Sequence, residues 1–162
     1  MRVIVGIDES DESFYALEWA TNNLFNGIVG GEPNLVTLVH VHPPSKRYGV
    51  APSAIPAGPG VTALPSTGVV DSERRAEEQI SAAVLSRALE MCSNKVKAET
   101  LIVEGDPKDM LCEISEQMKV DLLIVGSRGL GRIKRAFLGS VSDYCAHHAK
   151  CPTLIVKPPA KD

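Results

Sequence analysis

Aromatic residues are scarce. Three Phe, three Tyr and one Trp make up 4% of the 162 residues, too few to build the stacking platforms on which single-stranded nucleic acids are held. Charge of one sign is also missing, because 17 basic against 20 acidic residues leave a formal net charge of -3. The chain therefore carries no global field for DNA, RNA or an anionic membrane. No apolar run approaches the roughly 20 residues that span a bilayer. The first residues enter a strand pattern with no charged-then-apolar leader, so the expectation is a soluble, cytoplasmic protein. The cysteines are Cys92, Cys112, Cys145 and Cys151. They lie far apart and form no C-x-x-C pair, so they read as reduced thiols, with Cys92, near a helix end, as the candidate for an exposed one. Metal ligation has little support. His147 and His148 are adjacent on a predicted helix and point about 100° apart, whereas His40 and His42 share a facing but have no third ligand. Two well-known phosphate loops are absent as well: no G-x-x-x-x-G-K-[ST] occurs, and Gly6-Ile7-Asp8-Glu9-Ser10 is not G-x-G-x-x-G.

What is present is an alternation of strand and helix. Arg2 to Asp8 is a Val/Ile run suited to burial on both faces, and Ser10 to Phe25 follows as a helix with Ser13, Leu17, Ala20 and Leu24 on one stripe. Leu35 to His42 reads as a second strand. Asp71 to Ser93 is a long amphipathic helix whose Ile80, Val84, Ala88 and Met91 share a face, and Lys97 to Val103 is a third strand. Asp106-Pro107 is an N-cap followed by proline at the first helical position, opening a helix with Met110, Leu111, Ile114 and Met118 inward. Asp121 to Val125 is a fourth strand, a helix begins at Ser140, and Pro152 to Lys157 closes as a fifth strand. Such an order implies an open α/β fold, a parallel sheet with helices on both faces and right-handed crossovers. Ligands of such sheets collect beyond the carboxyl ends of the strands, where the strand order reverses. For an order 3-2-1-4-5 that point lies between the first and fourth strands, which brings Asp8 beside the segment after the fourth.

That segment is Gly126-Ser127-Arg128-Gly129, completed by Gly139-Ser140 at the next helix. Glycine lets a backbone approach an anion without a Cβ in the way, and the first N–H groups of a helix lack intrahelical acceptors. Ser140 and Ser142 add hydroxyls at that helix start. Arg128, Arg132, Lys134 and Arg135 place four cations within eight residues of the glycines, which raises the local positive potential. The alternative for each glycine is a plain strand end, turn or helix entry. Asp8 is suited either to a ribose hydroxyl or to capping the helix near Ser10.

These residues resemble the universal stress protein family over nearly the whole chain. Its hallmark G-x2-G-x9-G-[ST] is met by Gly126, Gly129, Gly139 and Ser140. Val3-Ile4-Val5-Gly6-Ile7-Asp8-Glu9-Ser10, Leu38-Val39-His40-Val41, Val103-Glu104-Gly105-Asp106-Pro107 and Cys151-Pro152-Thr153-Leu154-Ile155-Val156 are similar to its other blocks, those of plant members above all. The resemblance implies a Rossmann-like sheet of five parallel strands in the order 3-2-1-4-5, akin to the adenine nucleotide alpha hydrolases, with residues 1–162 as one domain. In the nucleotide-binding branch it implies ATP or AMP across the crevice, with adenine near the Val41 backbone, ribose near Asp8, and Gly6 at a position where some relatives carry proline. Phosphates would meet Gly126, Ser127, Arg128 and Gly129, then Gly139, Ser140, Val141 and Ser142. Magnesium would accompany ATP, with Asp8 and Glu9 as weakly signalled ligands. It further implies a homodimer through the last strand, Pro152 to Lys157, whose apolar edge needs cover.

The expected role is that of a stress-response protein whose bound adenine nucleotide switches its dimer, loop or surface for a protein partner. Hydrolysis of ATP is expected to be slow at most, because no Walker lysine and no identifiable base accompany the glycines. Two other readings stay open. One is a redox-sensitive, chaperone-like oligomer, which four cysteines allow. The other is an adenylyl-transfer or ATP pyrophosphatase-type enzyme, although S-G-G-x-D-S, HIGH-like and KMSKS-like signatures are absent. The stretch from about 43 to 70, rich in proline and glycine, reads first as a disordered spacer and otherwise as a lid or partner-recognition arm.

Overall fold

The computed structural model describes residues 1–25, 34–44, 67–128 and 138–159, with residues 67–70 described by their backbone alone. In chain order the elements are β1 (Arg2–Gly6), α1 (Asp11–Asn23), β2 (Leu35–His42), α2 (Thr67–Cys92), β3 (Lys97–Glu104), α3 (Pro107–Gln117), β4 (Leu122–Gly126), α4 (Ser140–His148) and β5 (Thr153–Val156). The strands form one five-stranded sheet in the order β3-β2-β1-β4-β5, and every pairing is parallel. The sequence reading of the fold class is thus the observed one.

The strand run at the centre of the sheet explains its position. Val3, Ile4 and Val5 are at most 1% exposed, and successive side chains point to opposite faces, so a strand with no polar alternation must be covered on both. Burying each such side chain is worth about 1.5–3 kcal/mol. One face packs Val3, Val5, Val36 and Leu38 beneath α1 and α2. The other packs Ile4, Val39, Leu123 and Val125 beneath α3 and α4. The chain moves from β1 toward β3 with its helices on the first face, then from β4 toward β5 with its helices on the second. The two halves diverge between β1 and β4, which are direct neighbours.

Local signals set the helix starts. Ser10 is the N-cap of α1, accepting from the Ser13 N–H at 3.3 Å, and Asp11 and Glu12 in the first turn suit the positive end of the helix dipole. Asp106 caps α3 by accepting from the Lys108 N–H at 3.2 Å, ahead of Pro107. The preceding Gly105 has φ +151°, and a Cβ there would lie 2.7 Å from Met110 Cγ, so both backbone and space demand glycine.

Several boundaries differ from expectation. β4 begins after Asp121, whose carboxylate instead accepts from the Arg2 N–H at 2.7 Å and ties the starts of the two central strands together. α2 begins at Thr67, so the last residues of the expected 43–70 spacer are helical. Residues 45–66 of that spacer lie outside the described residues. The inward face of α2 is Ser81, Val84, Leu85, Ala88 and Cys92, whereas Ile80 is 40% exposed. The helix extends beyond the sheet at its N-terminal end, so its apolar stripe has no strand to cover there.

Candidate functional site

Where the two halves of the sheet part, the strand ends border a cavity of about 820 Å³, within the range typical of small-molecule sites. Its walls come from both sides of the switch point. Gly6 ends β1 and Asp8 follows it, Val41 is the penultimate residue of β2, Gly126 ends β4 and Arg128 follows it, and Gly139, Ser140, Val141 and Ser142 open α4; all of these line it. Ser127 does not line it, and Gly129, Arg132, Lys134 and Arg135 lie outside the described residues.

The α4 end is a donor surface. Gly139 is the N-cap and offers no side-chain acceptor, unlike Ser10 at α1 and Asp106 at α3. The first i→i-4 bond of the helix runs from the Asp143 N–H to the Gly139 carbonyl at 2.9 Å. The N–H groups of Ser140, Val141 and Ser142 therefore precede the hydrogen-bond ladder, at the positive end of the helix dipole and on the cavity wall. Gly139 is held in place by its own N–H, which donates to the Ser127 carbonyl at 2.8 Å.

Two expected phosphate contacts have other duties. The Ser127 N–H donates to the Val156 carbonyl at 2.9 Å, which braces the end of β4 against β5 and withdraws that donor from any ligand. The Ser142 hydroxyl donates to the carbonyls of Ser127 and Gly139, each at 3.0 Å, so its proton is already used and only its backbone N–H faces a ligand. The exposed Ser140 keeps a hydroxyl at the helix start. Gly126 is needed for packing: a Cβ there would lie 2.9 Å from the carbonyl carbon and oxygen of Glu12. Its missing side chain makes room for the first turn of α1.

Across the cavity the chemistry is that of acceptors. Asp8 Oδ1 accepts from the Ser10 N–H at 2.9 Å and from the Ser10 hydroxyl, and the Ser13 hydroxyl donates to the Asp8 carbonyl at 2.9 Å. Asp8 therefore steadies the turn into α1 with one oxygen, while Ser10 does the helix capping. Beyond it, β1 stops pairing at Gly6, opposite Val39, with a last bond from the Ile7 N–H to the Val39 carbonyl at 2.9 Å. β2 continues to His42 against β3 alone. Backbone groups alternate in direction along a strand, so the N–H and C=O of Val41 point toward the side that β1 has vacated. A donor and an acceptor thus lie side by side at the edge of the cavity. At the start of α3, a hydrogen bond from Lys108 lowers the Asp106 carboxyl below its ordinary value, and the same bond raises Lys108.

Residues not expected in the nucleotide site also line the cavity: His40 and His42, weighed above only as metal ligands, Ile80, expected on the core stripe of α2, and Pro43 and Glu77. The signal for α2 was the outlying Ile80, an apolar residue on a stripe too long for the sheet. Among the described residues no group of three or more His, Cys, Asp or Glu is placed to hold a metal ion, and no helix is long and apolar enough to cross a membrane.

The cysteines lie away from the cavity. Cys92, the expected exposed thiol, is 1% exposed, and burial pushes its pKa up to about 11. Cys145 on α4 is fully buried and pushed up to about 12, again by burial first. Its Sγ lies 3.9 Å from that of Cys112 on α3, a contact between residues distant in sequence.

Sheet order, switch-point cavity and uncapped helix start together define an open, doubly wound α/β protein of Rossmann-like type. The profile of the Universal stress protein family matches residues 1–157. The chain belongs to that family. Among curated relatives, it is 29% identical to Universal stress protein PHOS34 of Arabidopsis thaliana over 168 residues, covering 98% of this chain and 62% of that protein. It is also 29% identical to Universal stress protein YxiE of Bacillus subtilis over 157 residues, covering 96% of this chain and 98% of that one. The matches to the first Arabidopsis relatives span 35%, 62% and 65% of their lengths. Among solved structures, a universal stress protein family protein from Arabidopsis thaliana with AMP bound superposes with a TM-score of 0.65 at 24% identity, covering 99% of this chain and 93% of that one.

Proposed function

We propose that this chain is a stress-response protein that binds ATP or AMP across the switch-point cavity and uses occupancy as a switch. The observation that carries the reading is the polarity of that cavity. At one end stand three N–H groups of a helix without a side-chain cap, with Arg128 nearby, an arrangement suited to phosphate. At the other end stand an unpaired strand edge at Val41 and the Asp8 carboxylate, which suit a base edge and a ribose hydroxyl. The AMP bound to the Arabidopsis structure supports the same reading. Gly6, Gly126, Gly139, Ser140, Val141 and Ser142 complete the proposed site with Gly129. Ser127 contributes by holding Gly139 in place.

Turnover is proposed to be slow at most, with magnesium arriving on ATP. Phosphoryl transfer needs a placed metal and a residue that orients water, and Asp8 already spends one carboxylate oxygen on Ser10. Residues 1–162 are proposed to act as one domain in the cytoplasm, as a homodimer through β5 that presents its nucleotide-dependent surface to a protein partner. Equilibrium dialysis against ATP and AMP, with and without magnesium, tests the binding. Saturation near one nucleotide per chain is expected, and no retention of either nucleotide overturns the reading.

A further inference from the structure

The base end of the cavity contains a histidine whose proton position follows from its surroundings. His40 is only 6% exposed, and its Nδ1 lies 2.9 Å from the Ile7 carbonyl oxygen. A carbonyl can only accept, so Nδ1 carries a proton, and in the neutral ring Nε2 bears the lone pair. Nε2 is the ring nitrogen not engaged by Ile7. Among the described residues the one side-chain polar atom that is both buried and unpartnered is Ser81 Oγ, and His40 lines the cavity. His42 repeats the pattern, with Nδ1 3.1 Å from the Pro43 carbonyl, and Glu77 also lines the cavity. Acceptors therefore gather opposite the donor surface of α4.

We propose that His40 is a specificity-determining residue that reads the exocyclic amino group of a 6-aminopurine through Nε2. The proposal rests on the nucleotide reading above. An amino group offers two hydrogens, one for the Val41 carbonyl at the vacated strand edge and one for His40. A 6-oxopurine instead turns an oxygen lone pair toward these acceptors and leaves them unpaired, the situation in which polar sites discriminate most strongly. The bond from Nδ1 to Ile7 fixes which nitrogen of the neutral ring is the acceptor. The same bond joins the end of β2 to the turn that carries Asp8.

The test compares AMP with IMP on the whole chain by calorimetry, in wild type, His40→Asn and His40→Gln. The Asn amide overlies Nδ1 and keeps the bond to Ile7 but has nothing at the Nε2 position, whereas the Gln terminus reaches that position. Wild type is expected to prefer AMP. The preference is expected to shrink about tenfold in His40→Asn, the usual worth of one buried hydrogen bond, and to recover in part in His40→Gln. Because the ratio is taken within each variant, a general loss of stability cancels. N6,N6-dimethyl-AMP, which lacks both hydrogens, is expected to bind wild type as weakly as IMP does. AMP binding with an unchanged AMP/IMP ratio in His40→Asn, or dimethyl-AMP binding wild type as well as AMP, overturns the role of His40 and leaves the nucleotide site standing. No binding of AMP to wild type overturns both.

Discussion

At the scale of single residues, the same amino acid does different work at neighbouring positions. Gly139 has ordinary extended backbone, φ -68° and ψ 159°, so glycine there is a matter of access for whatever approaches the helix. Gly126 is a matter of packing, because the backbone of α1 occupies the space of its side chain. Gly126→Ala should therefore destabilise the fold by about 1–3 kcal/mol through overpacking, read as a lower urea midpoint. An unchanged midpoint would show that α1 does not press on this glycine. The cysteines carry a pH signature. Their thiols are held near 11 for Cys92 and 12 for Cys145, against an ordinary value of 9.0. The folded state favours the protonated form, so this stabilisation is whole below pH 9 and is lost as pH rises toward 11–12. Wild type should lose melting temperature more steeply than Cys92→Ser over that interval. Equal slopes would place Cys92 in contact with water. The hydroxyls were the residues least legible in the sequence. Nothing local says that the Ser142 proton goes to Ser127 or that His40 donates to Ile7, because those acceptors come from elements 15 and 33 residues away.

At the scale of elements, most of the fold was legible because buried parallel strands write uninterrupted apolar runs. Leu35–His42 was placed to the residue, and the Asp106-Pro107 start of α3 was read from capping chemistry alone. α2 was harder. Periodicity marks which residues are apolar but not where the sheet beneath them ends, so Ile80 read as core and lines the cavity instead. β5 carries an element-scale prediction. The Pro152 and Val156 carbonyls accept from Leu123 and Ser127 of the β4 side, so by alternation Leu154 also faces β4, while Thr153 and Ile155 turn their backbone groups to the open edge. If two copies pair through that edge, Ile155→Pro removes an outward N–H without touching the β4 ladder. Sedimentation should then show a wild-type dimer and an Ile155→Pro monomer with native circular dichroism. A variant that stays dimeric would move the interface elsewhere.

At the scale of the whole molecule, the cavity exists because the chain winds one way from β1 and the other way from β4. Asp8, Val41 and the α4 start come from three distant stretches, and the topology alone brings them together at the divergence. Their convergence was legible once the strand order was inferred from the alternation of elements. The acceptor wall from α2 was not, since it depends on how far that helix overhangs the sheet. The central claim is that the uncapped start of α4 holds the phosphate of an adenine nucleotide. The most direct measurement is calorimetric titration of wild type and Gly139→Val with AMP. Val is compatible with the backbone at 139, so the variant should fold. Wild type should bind saturably, with unfolding free energy raised by roughly 4 kcal/mol at about 1,000 times the dissociation constant, and Gly139→Val should bind little or nothing at an unchanged melting temperature. Equal binding by the two proteins would contradict the account.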